Sequence, residues 1–414
     1  MITAGAGTAA LPEGGRVDFA RLRRERRARL LEAMAEAGLD VLVLGRPANI
    51  TYASGARQLW TAGARPFGPG AVVMAGSGQV HLLSTWDDGV PEEIARDHLF
   101  GLSWNPARIA ANLAAIPGLA AATRIGTDGW SPGAGSLITS VAPGAAVADA
   151  GPALATARRT KTVDELACLR TAAAAAEGGM AALVEALRPG VTERQLMGVH
   201  AAALARLGLP TPPIEAAACV MPAEGGAPEG QGGPGRLRRL VSDRAARAGQ
   251  MVVLTAGALY AGYEATLSRT WLVGAGGAGV GGAVGAGGAG GGGSVASAAQ
   301  AQVAGRARSL RDARVAACQP GPVSDLLGPG ERVGSEPVAW GVGLGMEAPL
   351  LGAGLGAGVQ LSAGMTMVVQ AWAAATGSEA GGALEADVVL VGAEGPELLT
   401  RFGSCPALTS DLTQ

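Results

Sequence analysis

The stretch "QMVVLTAGALYAGYEATLSRTWLVG", residues 250–274, constrains the fold more than any other part of the chain. Apolar, β-branched and aromatic residues flank Ala261-Gly262, a two-residue connection of the kind that closes a β-hairpin. That turn pairs Tyr260 with Tyr263. Counting outward, Gly257 lies opposite Thr266 and Thr255 is its diagonal neighbour, so Thr255, Gly257, Glu264, Thr266 and Ser268 share one face. Carboxylates at positions 255 and 266 would converge on a metal pair, with Gly257 leaving room for it. Threonine supplies only a neutral hydroxyl, a poor ligand for a divalent cation. A threonine-lined strand face also needs no function, because threonine is a good strand residue.

With 414 residues the chain exceeds what one hydrophobic core usually covers, so two domains are expected. Residues 1–17 read as a loose tail. From 18 to 155 short elements alternate in an α/β pattern: a helix ending near Gly38, strands at "DVLVLG", "GAVVMAG" and "QVHLLS", helical stretches near 91–98 and 105–116, and a strand at "TRIGTDG". The second domain, 156–414, opens with Thr162 and Glu165 spaced as a capping box before a long alanine-rich helix that closes at Gly190. A helix over 192–207 follows, then strands and loops. The segment 274–294 is almost all glycine, alanine and valine and reads as a flexible surface loop interrupting this domain.

Net charge is -2, so no overall field favours nucleic acid or an anionic membrane. The basic run "RLRRERRARL" at 21–30 has a helical period and reads as a solvated helix face. The N-terminus lacks the basic start and apolar core of a signal peptide, and no stretch qualifies as a membrane span. Cys168, Cys219, Cys318 and Cys405 are far apart and form no CxxC, which fits buried thiols in a reducing cytoplasm. Of the three histidines, His81 and His98 read as structural. His200, on an amphipathic helix with Leu196 and Leu204, reads as a face residue; no histidine follows it.

Six stretches of the second domain, in order, carry a family resemblance: "RRTKTVDELACLRTAAAAAEGGM", "ALRPGVTERQL", the hairpin itself, "WGVGLGMEAPL", "LSAGMTMVVQAW" and "ALEADVVLVGAEGPELLT". They resemble the creatinase / aminopeptidase P / prolidase superfamily. The first half, including "AEAGLDVLVLGRPANITYASG", is similar to that family's N-terminal domain. The resemblance implies an α+β protein, an N-terminal α/β creatinase-type domain followed by a pita-bread domain, acting as a homodimer. The family's usual chemistry rests on two metal ions held by two Asp, one His and two Glu. Carried over position by position, these ligands fall on Thr255, Thr266, Trp340, Gln370 and Glu385, so only the last keeps its carboxylate. The framing residues Gly257, Gly262, Tyr263, Arg269, Thr270, Gly341, Gly343 and Glu347 remain. One carboxylate and one amide cannot hold two divalent ions, and no cofactor is expected.

Creatinase and its near relatives hydrolyse a C–N bond without metal. In that pattern the acid/base histidine falls on Glu229 and the hairpin glutamate on Ser268, so the pattern is only partly kept. Candidate catalytic groups are Glu385, Glu347, Glu264 and Glu229: carboxylates crowded in a partly dry site raise one another's pKa and split into acid and base. Glu264 reads equally as an exposed strand carboxylate, and Glu347 and Glu385 as partners of Arg269. Trp340 either plugs the vacated space or floors a pocket. Tyr263 and Arg269 are candidates for holding substrate, although an aromatic in a strand usually packs and Arg269 suits a carboxylate-holding role. By resemblance, Arg57 or Arg65 would grip a substrate carboxylate across a dimer. The expected ligand is a small carboxylate- or peptide-like molecule. Two functions stay open, a metal-independent C–N hydrolase and a pseudoenzyme that binds without turnover; a metal-dependent Xaa-Pro aminopeptidase is the third.

Overall fold

A computed structural model describes residues 17–56, 70–83, 89–101, 103, 105–129, 131–209, 216–222, 237, 240–274, 295–323, 337–352, 356, 358–374 and 381–408. Arg57, Arg65, Glu229 and nearly all of the glycine segment lie outside the described residues. The chain divides into two compact units that meet at Asp164/Glu165, later than the expected border at 155. The reason is helix Gly151–Arg159, which joins the first unit: Tyr52 Oη donates to Ala157 O (2.7 Å) and Arg158 Nη1 to Asn49 Oδ1 (2.6 Å).

The first unit contains helices α1 (Phe19–Glu36), α2 (Pro47–Ser54), α3 (Pro106–Ala114), α4 (Pro132–Val141) and α5 (Gly151–Arg159). Its strands are β1 (Val41–Leu44), β2 (Ala71–Met74), β3 (Val80–Leu83), β4 (Leu99–Phe100), β5 (Arg124–Thr127) and β6 (Ala146–Asp149). They form one sheet in the order β4-β3-β2-β1-β5-β6. Val41, Val43, Val72 and Ile125 project from that sheet into a core closed by Leu113, Ile116 and Ile138. Asp18 caps α1 by accepting the Arg21 N–H at 2.9 Å.

Two local expectations change here. The basic run is not a solvated face throughout: Leu22, Arg26 and Leu30 form one buried stripe. Arg26 Nη2 donates to Thr51 O (3.0 Å), and its guanidinium carbon lies 5.4 Å from the Tyr52 ring centre. The stretch 91–98 yields only the single 3-10 helix Arg96–His98, and it opens on Pro91. His81 is buried on β3 with its ring centre 4.2 Å from that of His98, and burial holds its pKa down.

The second unit contains α6 (Val163–Ala186), on which the border between units falls, α7 (Glu193–Arg206) and α8 (Ala298–Ala316). Strands β7 (Ala217–Val220), β8 (Met251–Tyr260) and β9 (Tyr263–Leu272) are followed by the short β10 (Gly321–Pro322). Then come β11 (Ala339–Gly343), β12 (Gly345–Leu351), β13 (Gln360–Leu361), β14 (Thr366–Ala374), β15 (Gly382–Val391) and β16 (Pro396–Leu398). Seven strands order as β12-β11-β14-β15-β9-β8-β7, and β16 adds to β15 to make an eight-stranded sheet. Helix α8 contributes Val303, Ala304 and Ala307 to the core, against Trp372, Leu384 and Leu272. No described helix is long and apolar enough to cross a membrane. All four cysteines are buried and none is in a disulfide.

The expected hairpin is regular. Ten pairs run from Met251↔Leu272 to Tyr260↔Tyr263, including Gly257↔Thr266 and Thr255↔Ser268. Ala261 and Gly262 take φ values of 51° and 85°, the left-handed backbone that a two-residue type I′ turn needs at both positions.

Candidate functional site

The hairpin register puts Thr255, Gly257, Glu264, Thr266 and Ser268 on one face, all buried. Their hydroxyls are already satisfied within the strands. Thr255 Oγ1 and Ser268 Oγ share a hydrogen bond of 2.8 Å, and Thr266 Oγ1 donates to Ala256 O at 3.3 Å. Glu264 is 5% exposed, so it is not a surface strand carboxylate. Its Oε2 would lie 4.0 Å from a Cβ on Gly345, which places it at the turn between β11 and β12.

Trp340, on β11, is buried and pairs with Val368 of β14 and Leu350 of β12. Immediately after it the β11–β12 ladder slips, so that Gly341 faces Glu347. A Cβ on Gly341 would come 2.5 Å from Ala348 O, and that backbone approach admits only glycine. Glu347 is half-buried on the edge strand β12. Gln370 pairs with Ala386, and Glu385 with Ala371. Neighbouring pairs of a ladder point to opposite faces, so these two side chains leave β14 and β15 in opposite directions. The Gln370 side-chain amide donates to Pro337 O at 2.6 Å, and the Gln370 backbone carbonyl accepts from Arg314 Nη1 at 2.6 Å.

Glu385 is 1% exposed and sits among charges. Its Oε2 accepts from Ser404 Oγ (3.1 Å) and lies 3.5 Å from Arg269 Nε. Burial pushes its carboxyl pKa up; Arg269 and Arg311 pull the other way without cancelling it. Arg269 is as deeply buried and has every N–H engaged: Nε with Phe402 O, Nη1 with Ser268 O and Ala386 O, Nη2 with Asp387 Oδ1 and Phe402 O. Burial works against its charge, but Asp387 and Glu385 outweigh that and keep the pKa raised. Asp387, fully enclosed, accepts from Arg269 (2.7 Å), Arg311 Nη1 (2.6 Å) and Thr400 Oγ1 (2.8 Å).

The line between β9 and β15 is unusual. Only Ser268 and Ala386 pair as ladder residues there. The rest is closed by side chains. Arg269 Nη1 reaches the carbonyls of both Ser268 and Ala386, while the Thr270 hydroxyl donates to Leu384 O (3.2 Å) and accepts Leu384 N–H (2.9 Å).

Arg269, read as a holder either of substrate or of carboxylates, has its donors used inside the sheet. Tyr263 is fully buried and donates its hydroxyl to Glu165 Oε1 at 2.9 Å, the packing role open to a strand aromatic. The face of α7 that His200 shares with Leu196 and Leu204 is the buried one, and His200 is 1% exposed. Its ring packs on Gly179, where a Cβ would meet it at 2.7 Å, and burial lowers its pKa from 6.5 to about 4. Asp387, Arg311, Thr400 and Ser404 were not singled out from sequence. Asp387 carried a signal, a charge two residues beyond Glu385 on an otherwise apolar strand; Ser404, in an irregular tail segment, carried none.

The donor set was tested against two divalent cations and does not fit. Among the five inferred positions one offers a carboxylate, and that one is paired with Arg269 and Ser404. The others offer hydroxyls, an indole and an amide; both hydroxyls and the amide already have hydrogen-bond partners. Among the described residues no three His, Cys, Asp or Glu side chains gather in a group able to hold a metal ion.

The α/β first unit followed by this eight-stranded sheet and its helices defines a two-domain protein of the creatinase type, with a pita-bread second domain. The sequence model of the Creatinase/Prolidase N-terminal domain matches residues 26–160, and that of metallopeptidase family M24 matches residues 167–280. The chain belongs to the creatinase / aminopeptidase P / prolidase superfamily. The M24 match ends before Trp340, Gln370 and Glu385. Similar solved structures include a Xaa-Pro dipeptidase from Bacillus anthracis (17% identity, TM-score 0.68, 92% of this chain and 98% of that one). A dipeptidase, PepE, from Mycobacterium ulcerans has 22% identity and a TM-score of 0.65, over 93% and 96%. A prolidase from Thermococcus sibiricus has 16% identity and a TM-score of 0.69, over 92% and 99%. No curated protein matches the chain in sequence.

Proposed function

We propose that this protein is a metal-independent hydrolase of the creatinase / Xaa-Pro peptidase type, cleaving a C–N bond in a small carboxylate- or peptide-like substrate. One observation carries the reading. Glu385, the single carboxylate at the inferred ligand positions, points from the sheet face opposite Thr255 and Gln370, is buried with its pKa raised and is hydrogen-bonded to the half-buried Ser404. A buried carboxylate that holds its proton more tightly than usual can serve as proton acceptor and donor, whereas the other inferred ligand positions offer only hydroxyls, an indole and an amide. The test is metal analysis of the purified protein, together with hydrolysis of Xaa-Pro dipeptides and creatine-like ureido compounds with and without chelator. Cleavage that survives chelation supports the proposal. Two stoichiometric divalent ions with chelator-sensitive cleavage would establish the metal-dependent aminopeptidase instead.

A second reading has its own support. Thr255, Thr266, Gln370, Tyr263 and Arg269 are all engaged within the fold, as in a pseudoenzyme whose old centre has become core. If Glu385→Gln binds a peptide or metabolite as well as the parent protein and no substrate is consumed, this reading prevails. Under either reading we place the protein in a reducing cytoplasm as a homodimer; the buried cysteines, none in a disulfide, support the first part. Light scattering tests the second.

A further inference from the structure

We propose that Ser404 is the nucleophile of this site and Glu385 its general base, an arrangement that rests on the hydrolase reading above. Glu385 is itself almost inaccessible, so a substrate cannot reach it directly. Its outlet is Ser404, a half-buried residue whose hydroxyl donates to Glu385 Oε2 at 3.1 Å. A base–nucleophile pair of this kind needs the nucleophile partly open and the base dry and oriented.

The segment that carries Ser404 is fixed on both faces of the charge cluster. Thr400 Oγ1 donates to Asp387 Oδ1 and accepts Val388 N–H, at 2.8 and 2.9 Å. Phe402 O accepts from both Nε and Nη2 of Arg269. Gly403 lies exposed beside Ser404. Two residues of the same short segment, Thr400 and Phe402, are therefore anchored to β15 and β9, and the hydroxyl is held against the carboxylate rather than left to find it. Preorganisation of this sort is what an attacking group requires.

The chemistry balances without metal or cofactor. The Ser404 O–H proton passes to the Glu385 carboxylate as Oγ bonds to the substrate carbonyl carbon and the carbonyl π pair moves onto oxygen. That pair returns, the C–N bond breaks, and the proton on Glu385 goes to the leaving nitrogen. Water then repeats the sequence on the Ser404 ester: one proton passes to Glu385, hydroxide adds to carbon, and Ser404 leaves and takes the proton back.

The test uses a fluorophosphonate probe on the full chain, read by peptide mass mapping. Attack by Oγ on phosphorus expels fluoride and leaves a stable adduct, with no substrate needed. The expected result is one adduct, on Ser404, absent from Ser404→Ala. Its rate should fall about 100-fold or more in Glu385→Gln, as for loss of a general base. An undiminished rate in Glu385→Gln, or no adduct on the parent protein, overturns the assignment. Should Glu385→Gln fail to fold, Thr400→Val serves: displacing the segment should slow labelling at Ser404, and an unchanged rate counts against the proposal. Dipeptide or ureido hydrolysis that persists in Ser404→Ala sinks the nucleophile and spares the hydrolase reading. Labelling at Ser404 with no substrate ever consumed does the reverse.

Discussion

Arg269 and Asp387 face each other across 2.7 Å in the middle of the second unit, and neither is more than 1% exposed. The aspartate also accepts from Arg311 and Thr400, so a single carboxylate serves two guanidinium groups. Removing one member of a buried pair costs far more than the pair gains, because a charge is left without a partner. Asp387→Ala is expected to destabilise the protein by about 3–5 kcal/mol, measured as a lower midpoint in urea unfolding. Retention of parental stability would show that water reaches Arg269.

His200 sets a pH dependence. Its pKa is about 4 in the folded protein against 6.5 unfolded, so above pH 6.5 it is neutral in both states and contributes nothing to pH dependence. As pH falls below 6.5 the unfolded chain takes the proton first and stability is lost, until near pH 4 the folded protein protonates too. The loss over that window is roughly 3 kcal/mol. His200→Leu should flatten this part of the stability profile, followed by denaturation at a series of pH values.

Tyr263 separates a structural role from a substrate-holding one. Tyr263→Phe removes the hydroxyl donated to Glu165 and should cost about 1 kcal/mol of stability. For any substrate found to be turned over, KM should not move. A raised KM with unchanged stability would return Tyr263 to the binding site.

Gly341 marks a backbone crossing. In Gly341→Ala the added methyl group meets a carbonyl oxygen at 2.5 Å, and the β11–β12 ladder must shift to admit it. The expected cost is about 1–3 kcal/mol, with loss of near-ultraviolet signal from the neighbouring Trp340.

Much of this architecture was legible before any coordinates. The hairpin could be read to the residue pair because strand alternation and a two-residue turn leave no freedom in register, and the motifs beyond it carried the fold. The shared face of Thr255, Gly257 and Thr266 was legible for the same reason. What could not be read was engagement. Nothing in the spacing of Arg269 says that all its donors would be spent on Asp387 and three carbonyls, since those partners are brought together by strands more than a hundred residues apart. Arg26 was misjudged because a run of arginines hides which one falls on the buried stripe. The depth of His200 was not legible because Gly179, far from it in sequence, makes room for its ring. Ser404 left no trace, for it lies in an irregular segment whose position is fixed by side chains elsewhere.

The side-chain closure between β9 and β15 has a mechanical consequence. Most sheets pass load from strand to strand through many equal backbone bonds, so no single replacement opens them. Here a guanidinium and one hydroxyl carry much of that join, and the continuity of an eight-stranded sheet rests largely on two codons.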